Sequence, residues 1–412
     1  MDLTRILILD TSPIRRGAQV FGEELAAHLN IKGYKVKRIY LFHPTESETV
    51  PIGAENAVLP FFENSLLEKF PSFQPGLLLR LKREIKDFDP QIILCNGSKT
   101  LKYGAWIRIF GLNGRARLIG RFIDDAVFWN KGGIKKWAYS RWINRLDGMI
   151  AVSQSSLDSM IRHYNFTKPS RVIHRVFDPR KFENAPKRNE ARKQLGLCKN
   201  DEVLLFLGNL TVQKRPDRFL GIVSHLSKSR PNLKALIVGD GPLREVLEYQ
   251  VSGIQKQEAR VKNQESRITN RETGYQMDDS NKSNVLYLAS CVSFKGYQQD
   301  VSPFLAAANL LILTSDTEGL PGVVLEAAYF GVPTVATEVG GIQECLIDGE
   351  TGILIPDRSV LQFCQRINFL LDHPQDRIAM GERAKSYTSQ HFRMDQVVDH
   401  YLGFFQSITS SK

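Results

Sequence analysis

The chain has 412 residues, of which 42% are apolar and 24% charged, a composition typical of a soluble globular protein with two domains of ordinary size. No apolar run approaches the ~18 residues that a membrane-spanning helix needs, and the five cysteines form no CxxC pair, so neither a membrane span nor a zinc or disulfide framework is expected. The opening residues MDLTRILILDTS are expected to form a strand and a turn, not a signal peptide. The scattered cysteines fit a reducing cytoplasm.

The net charge of +11 belongs entirely to the N-terminal half. Residues 1–180 carry 28 Lys and Arg against 17 Asp and Glu, whereas residues 181–412 carry 27 of each. All four tryptophans lie within 99–145, among eleven basic residues. Basic residues mixed with aromatic ones suit an anionic membrane surface or another polyanion. The alternative is a solvated basic face over tryptophans that fill the core.

In the first half, the apolar pattern predicts buried strands at 5–10, 34–39, 118–123 and 149–152 and helices at 18–30 and 134–146. Strands that alternate with helices indicate a parallel sheet. Gly17 stands at the start of the first helix. Asp124 and Asp125 follow the strand at 118–123, where they are candidate ligand-binding groups or strand-end caps.

In the second half, a strand at 203–207 leads into GNLTVQKRPDRFL, and a strand at 236–238 leads into GDGP and a helix. Residues 251–284 are polar and lack an apolar period, so they are expected to form an inserted loop. The tail is predicted to be helical at 376–390, and an amphipathic helix follows over 391–408.

The stretch 310–345 carries the strongest signal. It predicts a buried strand at 310–313, a helix near 322–330 framed by Pro321 and Gly331, a strand at 334–336 and a Gly-Gly turn. Glu326 falls in an apolar helix, where an unpaired carboxylate is costly, so it needs a partner. Glu318 lies eight residues earlier, before the free amides of the helix start. Two acids around an anion site suggest a ligand such as a nucleotide sugar.

Glu318 and Glu326 in TEGLPGVVLEA resemble the E-x7-E motif of the retaining glycosyltransferases of family four, and GVPTVATEVGGIQECLIDGETGILIP continues the resemblance. The resemblance implies the GT-B fold: an α/β protein of two Rossmann-like parallel-sheet domains that face each other across a cleft, with the C-terminal helix crossing back to the first domain. It implies a first, acceptor-binding domain at 1–180 with helix 391–410. The second, which binds the nucleotide sugar, spans 195–388 and includes the insertion 251–284; residues 183–200 form the linker.

The same resemblance implies roles for individual residues. Glu318 would bind a sugar hydroxyl, and Glu326 the ribose hydroxyls. Family members hold the diphosphate with Lys where Lys214 stands and with Arg where Asn209 stands, so Asn209 brings no charge and Arg215 is a candidate replacement. The family's histidine near residue 124 is absent, which leaves Asp124 as a local candidate. The remaining expected donor contacts are Gly17, Gly239, Gly241, Leu320, Pro321, Gly322 and Val323.

The implied activity is retaining transfer of a sugar from a nucleoside diphosphate sugar to a hydroxyl of a glycan or lipid-linked acceptor, in cell-surface polysaccharide or glycolipid biosynthesis. The alternatives are a non-catalytic subunit of a polysaccharide-assembly complex and a sugar-nucleotide epimerase. No metal and no cofactor are expected, and Asp87 and Asp89 fit the family's helix-to-strand turn better than a metal motif. The expected partners are the donor, the acceptor and an anionic membrane contacted peripherally at its inner face, not nucleic acid.

Overall fold

A computed structural model of the chain describes residues 3–14, 17–44, 52–62, 74–123, 125–129, 132–252 and 288–410. The chain divides into two compact units. The first comprises Met1–Phe177 and Phe392–Lys412, and the second comprises Asp178–His391. The sequence placed the first boundary at 180 and the start of the second domain at 195. Asp124 and most of the expected insertion 251–284 lie outside the described residues.

The first unit is built on one parallel sheet of seven strands. The strands are β1 (Arg5–Asp10), β2 (Lys35–Tyr40), β3 (Ala57–Val58), β4 (Ile92–Asn96), β5 (Arg117–Phe122), β6 (Gly148–Ala151) and β7 (Ser170–Val172). The helices between them are α1 (Gly17–Ile31), α2 (Pro75–Phe88), α3 (Ser98–Ile109), α4 (Ala126–Trp129), α5 (Gly133–Ile143) and α6 (Gln154–Tyr164). The spatial order of the strands is β3-β2-β1-β4-β5-β6-β7. The first three strands therefore follow one another toward one edge of the sheet and β4 to β7 toward the other, so the strand order reverses between β1 and β4.

Both faces of this sheet are buried, which explains why its strands are apolar almost throughout. Leu7 and Leu9 of β1 belong to the core on one face, and Ile6 and Ile8 belong to the core on the other. A parallel sheet covered by helices on both sides requires this kind of continuous apolar strand.

The last helix of the chain, α14 (Met394–Ser410), belongs to the first unit, as predicted. Its apolar face, which includes Val398 and Phe405, packs into the same core as Ile6 and Ile8. Tyr401 lies at the centre of the contact: its hydroxyl accepts a hydrogen bond from Nε of Arg121 at 3.1 Å. The helix is thus fixed to the sheet by apolar packing and by one buried polar contact.

A buried polar cluster lies at the carboxyl ends of β1 and β4. The Asp10 carboxylate accepts hydrogen bonds from Arg38 at 2.8 and 3.0 Å and from Asn96 at 2.6 Å. Arg121 donates in turn to Asn96 at 2.9 Å. Burial raises the pKa of the Asp10 carboxyl, and the Arg38 charge opposes that shift. The cluster satisfies charges that would otherwise be buried without partners.

The second unit is a parallel sheet of six strands. The strands are β8 (Glu202–Leu207), β9 (Leu233–Val238), β10 (Val292–Gly296), β11 (Leu310–Leu313), β12 (Thr334–Thr337) and β13 (Gly352–Ile355). The helices are α7 (Arg188–Gln194), α8 (Pro216–Leu226), α9 (Arg244–Ser252), α10 (Ser302–Ala307), α11 (Gly322–Tyr329), α12 (Val360–Asp372) and α13 (Pro374–His391). The spatial order of the strands is β10-β9-β8-β11-β12-β13, so the strand order reverses between β8 and β11.

The expected linker at 183–200 contains a helix, α7, that packs within the second unit. Its buried Arg192 donates hydrogen bonds to the carbonyls of Ala307, Cys198 and Asp201. One guanidinium with five N–H donors can satisfy several carbonyls at once, and this ties a polar segment to the sheet. This difference from the sequence expectation explains why the second unit begins before residue 195.

The tryptophans of the first unit do not share one environment. Trp142 is buried and Trp106 is half-buried, whereas Trp137 is exposed. Among the described helices, none combines the length and the apolar composition needed to cross a bilayer. Val251 and Ser252, which the sequence places in the insertion 251–284, belong to α9.

Candidate active site

Two loops of the second unit meet at the point where its strand order reverses. One follows β8 and runs through 208–215, and the other follows β11 and runs through 314–321. Their strands are hydrogen-bonded neighbours, with Leu310 paired to Leu204 and Leu311 to Leu205. In open parallel sheets, ligands bind outside the carboxyl ends of the strands at such a reversal. The topology therefore brings Lys214 and Glu318 to one place.

Lys214 and Glu318 form an ion pair at this reversal point. The Lys214 Nζ lies 2.5 Å from Oε1 of Glu318. The Glu318 side chain is 6% exposed and that of Lys214 is 23% exposed. Ser315 donates a hydrogen bond from Oγ to the same carboxylate oxygen at 2.6 Å. The other oxygen, Oε2, has no hydrogen-bond partner within the described part of the chain.

Hydrogen bonds between the two loops fix the position of Lys214. The hydroxyl of Thr314 donates to the carbonyls of Lys214 and Arg215 at 3.1 and 2.8 Å. The amide of Asp316 donates to the carbonyl of Gln213 at 2.8 Å, and the Gln213 side chain donates to Thr317 O at 3.0 Å. Because these contacts join the two loops through backbone atoms, they fix the main chain from which the Lys214 side chain reaches Glu318.

The Gly-Gly turn after β12 lies directly against Glu318. A Cβ added at Gly340 would stand 1.8 Å from the Glu318 carbonyl oxygen, and the residue has a φ of +57°. The amide of Gly341 donates to the same carbonyl at 3.3 Å. Both the left-handed backbone and the close approach require glycine at position 340. The turn therefore supports the backbone of the first glutamate of the motif.

The helix α11 begins immediately after this loop. Pro321 is its cap residue with φ −73° and ψ 111°, and the helix runs from Gly322 to Tyr329. Leu320 is buried beside it. The amides of Gly322 and Val323 belong to the first turn, where an α-helix offers no intrahelical acceptor. The predicted helix start is thus present, with its amides available for a ligand.

Glu326 differs from Glu318 in having no partner within the described part of the chain. Its side chain is half-buried in α11, and its carboxylate forms neither an ion pair nor a hydrogen bond with any described residue. A carboxylate on an apolar helix without a partner among the described residues is a candidate ligand-binding group.

Arg215 is tied to carboxylates of the protein. It has a left-handed backbone with a φ of +51°. Its guanidinium donates to both oxygens of Asp217 at 2.7 to 3.1 Å and to Asp316 at 3.2 Å. The hydrogen bonds to Asp217 raise the pKa of the Arg215 guanidinium further above its usual value. Asn209 is exposed near the start of the same loop. A diphosphate role for either residue stays a prediction.

Gly239 and Gly241 face the backbone of the loop after β8. A Cβ at Gly239 would lie 2.1 Å from the carbonyl oxygen of Gly208, and one at Gly241 would lie 2.6 Å from that of Leu210. Leu210 also donates its amide to Asp240 O at 2.9 Å. These glycines allow two loops to pack closely. Their expected position near a nucleotide stays a prediction.

The two remaining predicted residues belong to the first unit. Gly17 is the first residue of α1, and a Cβ there would stand 3.3 Å from Nη1 of Arg175. Asp124 is not among the described residues, so its expected role stays a prediction. Asp89, one of the two aspartates with metal-motif spacing, is the left-handed cap of α2 and pairs with Arg5 at 2.7 Å.

Sequence reasoning missed three residues that support the site. Ser315 and Gly340 contact Glu318, and Thr337 donates its hydroxyl to the carbonyl of Ser315 at 2.7 Å. A serine three residues before a motif glutamate is a weak signal, because many serines stand near acids without touching them. The support from Thr337 depends on how β11 and β12 pair, which the sequence does not state.

Three family profiles match the chain. Glycosyltransferase Family 4 matches residues 15–181, and Glycosyl transferases group 1 matches residues 187–262 and 260–373. Among curated proteins, D-inositol 3-phosphate glycosyltransferase of Streptomyces avermitilis is 28% identical over 244 residues, which is 58% of this chain and 47% of that protein. N-acetyl-alpha-D-glucosaminyl L-malate synthase of Bacillus anthracis is 27% identical over 271 residues, 65% of this chain and 61% of that protein. The chain thus spans about half to three fifths of these relatives.

The solved structures show the same architecture. HepE of Anabaena, crystallised in complex with UDP-glucose, superposes with a TM-score of 0.73 at 21% identity over 98% of this chain and 99% of that chain. The fold is therefore that of a GT-B glycosyltransferase, as predicted. With its matching profiles, the chain belongs to the group 1 glycosyltransferases of family four.

Proposed function

We propose that the chain transfers a sugar from a nucleoside diphosphate sugar to a hydroxyl of a glycan or lipid-linked acceptor, with retention of anomeric configuration. The observation that carries the proposal is the Lys214–Glu318 ion pair beside the start of α11. A cation, a helix N-terminus and a carboxylate with one unpartnered oxygen suit a donor with a diphosphate between two hydroxyl-bearing groups. HepE, which has the same fold, was crystallised with such a donor.

In this proposal, the diphosphate lies at the N-terminus of α11. Lys214 and the amides of Gly322 and Val323 neutralise it. When the bond between the anomeric carbon and the phosphate oxygen breaks, the electron pair stays on the departing nucleoside diphosphate. Fixed donors at that oxygen lower the barrier because they are in place before charge develops. The proposal assigns no metal ion and no further cofactor.

The two glutamates bind the two ends of the donor. Glu318 has one oxygen fixed by Lys214 and Ser315, so Oε2 is the oxygen that accepts from a sugar hydroxyl. Glu326 is half-buried and has no partner among the residues that the structure describes, and it accepts from the ribose hydroxyls. The acceptor hydroxyl forms the new bond to the anomeric carbon, and its proton passes to the departing phosphate. No protein base is required for this step.

We place the acceptor at a membrane surface or on an anionic glycan. The first unit carries 29 Lys and Arg against 18 Asp and Glu, which is the whole net charge of the chain, whereas the second unit carries 26 of each. A basic unit attracts anionic acceptors and anionic lipid. A cytoplasmic enzyme that acts peripherally at the inner membrane face, in polysaccharide or glycolipid assembly, fits this charge.

The test is a donor screen followed by product analysis. UDP-, GDP- and ADP-sugars are compared by thermal shift, and the best donor is incubated alone and with glycan and lipid-linked acceptors. Donor-dependent stabilisation, slow hydrolysis without acceptor and a product whose anomeric proton has the donor's configuration in NMR support the proposal. Conversion of the donor to its epimer, inverted product, or donor binding without turnover on any acceptor contradicts it.

A further inference from the structure

One face of α5 in the first unit exposes large apolar side chains. Ile134 is 76% exposed and Trp137 is 62% exposed. Other side chains of the helix are buried, with Ala138 and Trp142 packed against Ala105 of α3. Ile134 and Trp137 are therefore exposed on a helix that other side chains already attach to the core.

Basic side chains surround this apolar face. Arg141 lies over the ring of Trp137, with its guanidinium carbon 5.3 Å from the ring centroid. Lys136 is half-buried on the same helix, and Arg145 is exposed one turn after Arg141. None of these three cations forms an ion pair with a described residue. The side chains Ile134, Trp137 and Arg141 stand three and four residues apart, so they lie on one side of the helix.

The segment around this face contains no acid. Residues 126–146 (AVFWNKGGIKKWAYSRWINRL) include five Lys and Arg and neither Asp nor Glu. The unit that presents the segment has a net charge of +11. An acidic protein, a second copy of the chain and a lipid surface could each cover an apolar patch. A second copy would place this positive surface against an equally positive one, which electrostatic repulsion disfavours.

We propose that this α5 face (Ile134, Trp137 and Arg141, with Lys136 on the adjacent side and Arg145 just after the helix) docks on an anionic lipid bilayer. An interfacial helix places apolar and tryptophan side chains at the boundary between headgroups and acyl chains and keeps its cations against anionic headgroups. The α5 face has both the apolar and the cationic side chains, on a helix that its buried residues attach to the core. The inference deepens the proposed function by assigning the surface that brings the site to a lipid-linked acceptor.

The experiment uses the full chain and two kinds of vesicle, phosphatidylcholine alone and phosphatidylcholine mixed with phosphatidylglycerol. Binding is measured by co-sedimentation at low and high salt. One variant combines Ile134→Ala with Trp137→Ala, and a second combines Lys136→Glu with Arg141→Glu. The matched controls are Leu361→Ala with Ile378→Ala, and Lys193→Glu with Lys199→Glu, all at exposed positions of the second unit.

The wild-type chain is expected to bind the anionic vesicles, less tightly at high salt, with a blue shift of tryptophan emission. Each attractive basic residue near an anionic surface contributes about fivefold, so the charge-reversed α5 variant should bind at least ~30-fold more weakly. The apolar α5 variant should lose the emission shift and bind about tenfold more weakly. Both controls should bind like the wild type, and thermal melts check that every variant is folded.

Absence of vesicle binding overturns the proposal, and so does binding that the α5 variants leave unchanged. A concentration-dependent dimer in size-exclusion chromatography that the apolar α5 variant dissolves would instead assign the face to a second copy. Hydrolysis of the donor in the absence of vesicles separates this inference from the proposed function. The rate of donor hydrolysis should be equal in the wild type and the α5 variants. If the transferase proposal is wrong, none of these proteins should hydrolyse the donor.

Discussion

Lys214 and Glu318, which stand 104 residues apart in the sequence, meet at 2.5 Å where two loops leave neighbouring strands of the second unit. The pair joins a cation to the first glutamate of the E-x7-E motif. Its charges are preorganised, because loop hydrogen bonds hold the lysine and Ser315 holds the glutamate. A donor diphosphate would share a cation that is already in position, and little reorganisation would be needed when the bond breaks.

Lys214→Ala should reduce kcat/KM for transfer by about tenfold to a hundredfold or more, because a charge-assisted hydrogen bond contributes roughly 1.5–3 kcal/mol. The measurement is initial-rate kinetics with the donor identified by the screen. Lys228→Ala, at an exposed lysine of the same unit, is the matched control and should behave like the wild type. Equal rates for the two variants would remove Lys214 from the proposed chemistry.

Ser315→Ala should lower kcat/KM about tenfold through the loss of one hydrogen bond to a charged group. Ser315 is fully buried and touches Glu318, so its effect on transfer is indirect: it orients the carboxylate. Donor affinity should change less than kcat, since the diphosphate contacts are untouched. Separate measurement of donor Kd by calorimetry and of kcat distinguishes orientation from binding. A fall in affinity with an unchanged kcat would contradict the positioning role.

Glu326→Gln should weaken donor binding by about tenfold or more, because hydrogen bonds from hydroxyls to a carboxylate are stronger than those to an amide. The same substitution removes a half-buried, unpaired charge, so the melting temperature of the free protein should be unchanged or higher. Calorimetry and a thermal melt on the same sample measure both effects. A lower melting temperature with unaltered donor affinity would show that Glu326 has a structural role.

Gly340→Ala should destabilise the protein and abolish transfer, because a Cβ there would overlap the carbonyl of Glu318. Gly349→Ala is the matched control: its φ is +75°, but no atom lies within 4 Å of the added Cβ. Backbone strain alone should cost that control ~1–2 kcal/mol. Urea unfolding of both variants measures the difference. If the two lose equal stability and Gly340→Ala stays active, the turn does not support Glu318.

Only one cysteine should react quickly with a thiol reagent in the native protein. Cys198 is exposed, and Cys95, Cys291, Cys345 and Cys364 are buried as free thiols. Burial raises the pKa of Cys95 to about 12 and that of Cys364 to about 11, so their reactive thiolate is scarce at about pH 8. Colorimetric titration should show one fast thiol and four that appear on unfolding. A second fast thiol would contradict the packing of the cores.

The local pattern of the chain was enough to predict the strand β11 and the helix α11. A run of apolar residues defined Leu310–Leu313, and Pro321 and Gly331 marked the ends of the helix within a residue. These signals lie within a few positions of the elements that they define. The helix α7, by contrast, was missed because it is short and polar and is held in part by a contact of Arg192 with Ala307, more than a hundred positions away.

The site residues that belong to the motif were predictable from the sequence, whereas the contacts between loops distant in the sequence were not. Glu318, Glu326 and Lys214 followed from the resemblance. The engagement of Arg215 by Asp217 and Asp316 did not, because it depends on a left-handed backbone at 215 and on the loop after β11 lying beside it. The contact between Gly340 and Glu318 likewise depends on the pairing of β11 with β12. These contacts depend on strand order and register, which the spacing of residues in the sequence does not show.

The most direct measurement is a crystal structure of the chain with the nucleoside diphosphate sugar selected by the screen. The diphosphate oxygens should lie within about 3 Å of Lys214 Nζ and of the amides of Gly322 and Val323, with the ribose hydroxyls on Glu326 and a sugar hydroxyl on Glu318. A nucleotide bound elsewhere, or a bound donor whose diphosphate leaves the Lys214–Glu318 pair and the start of α11 untouched, would contradict the proposed site.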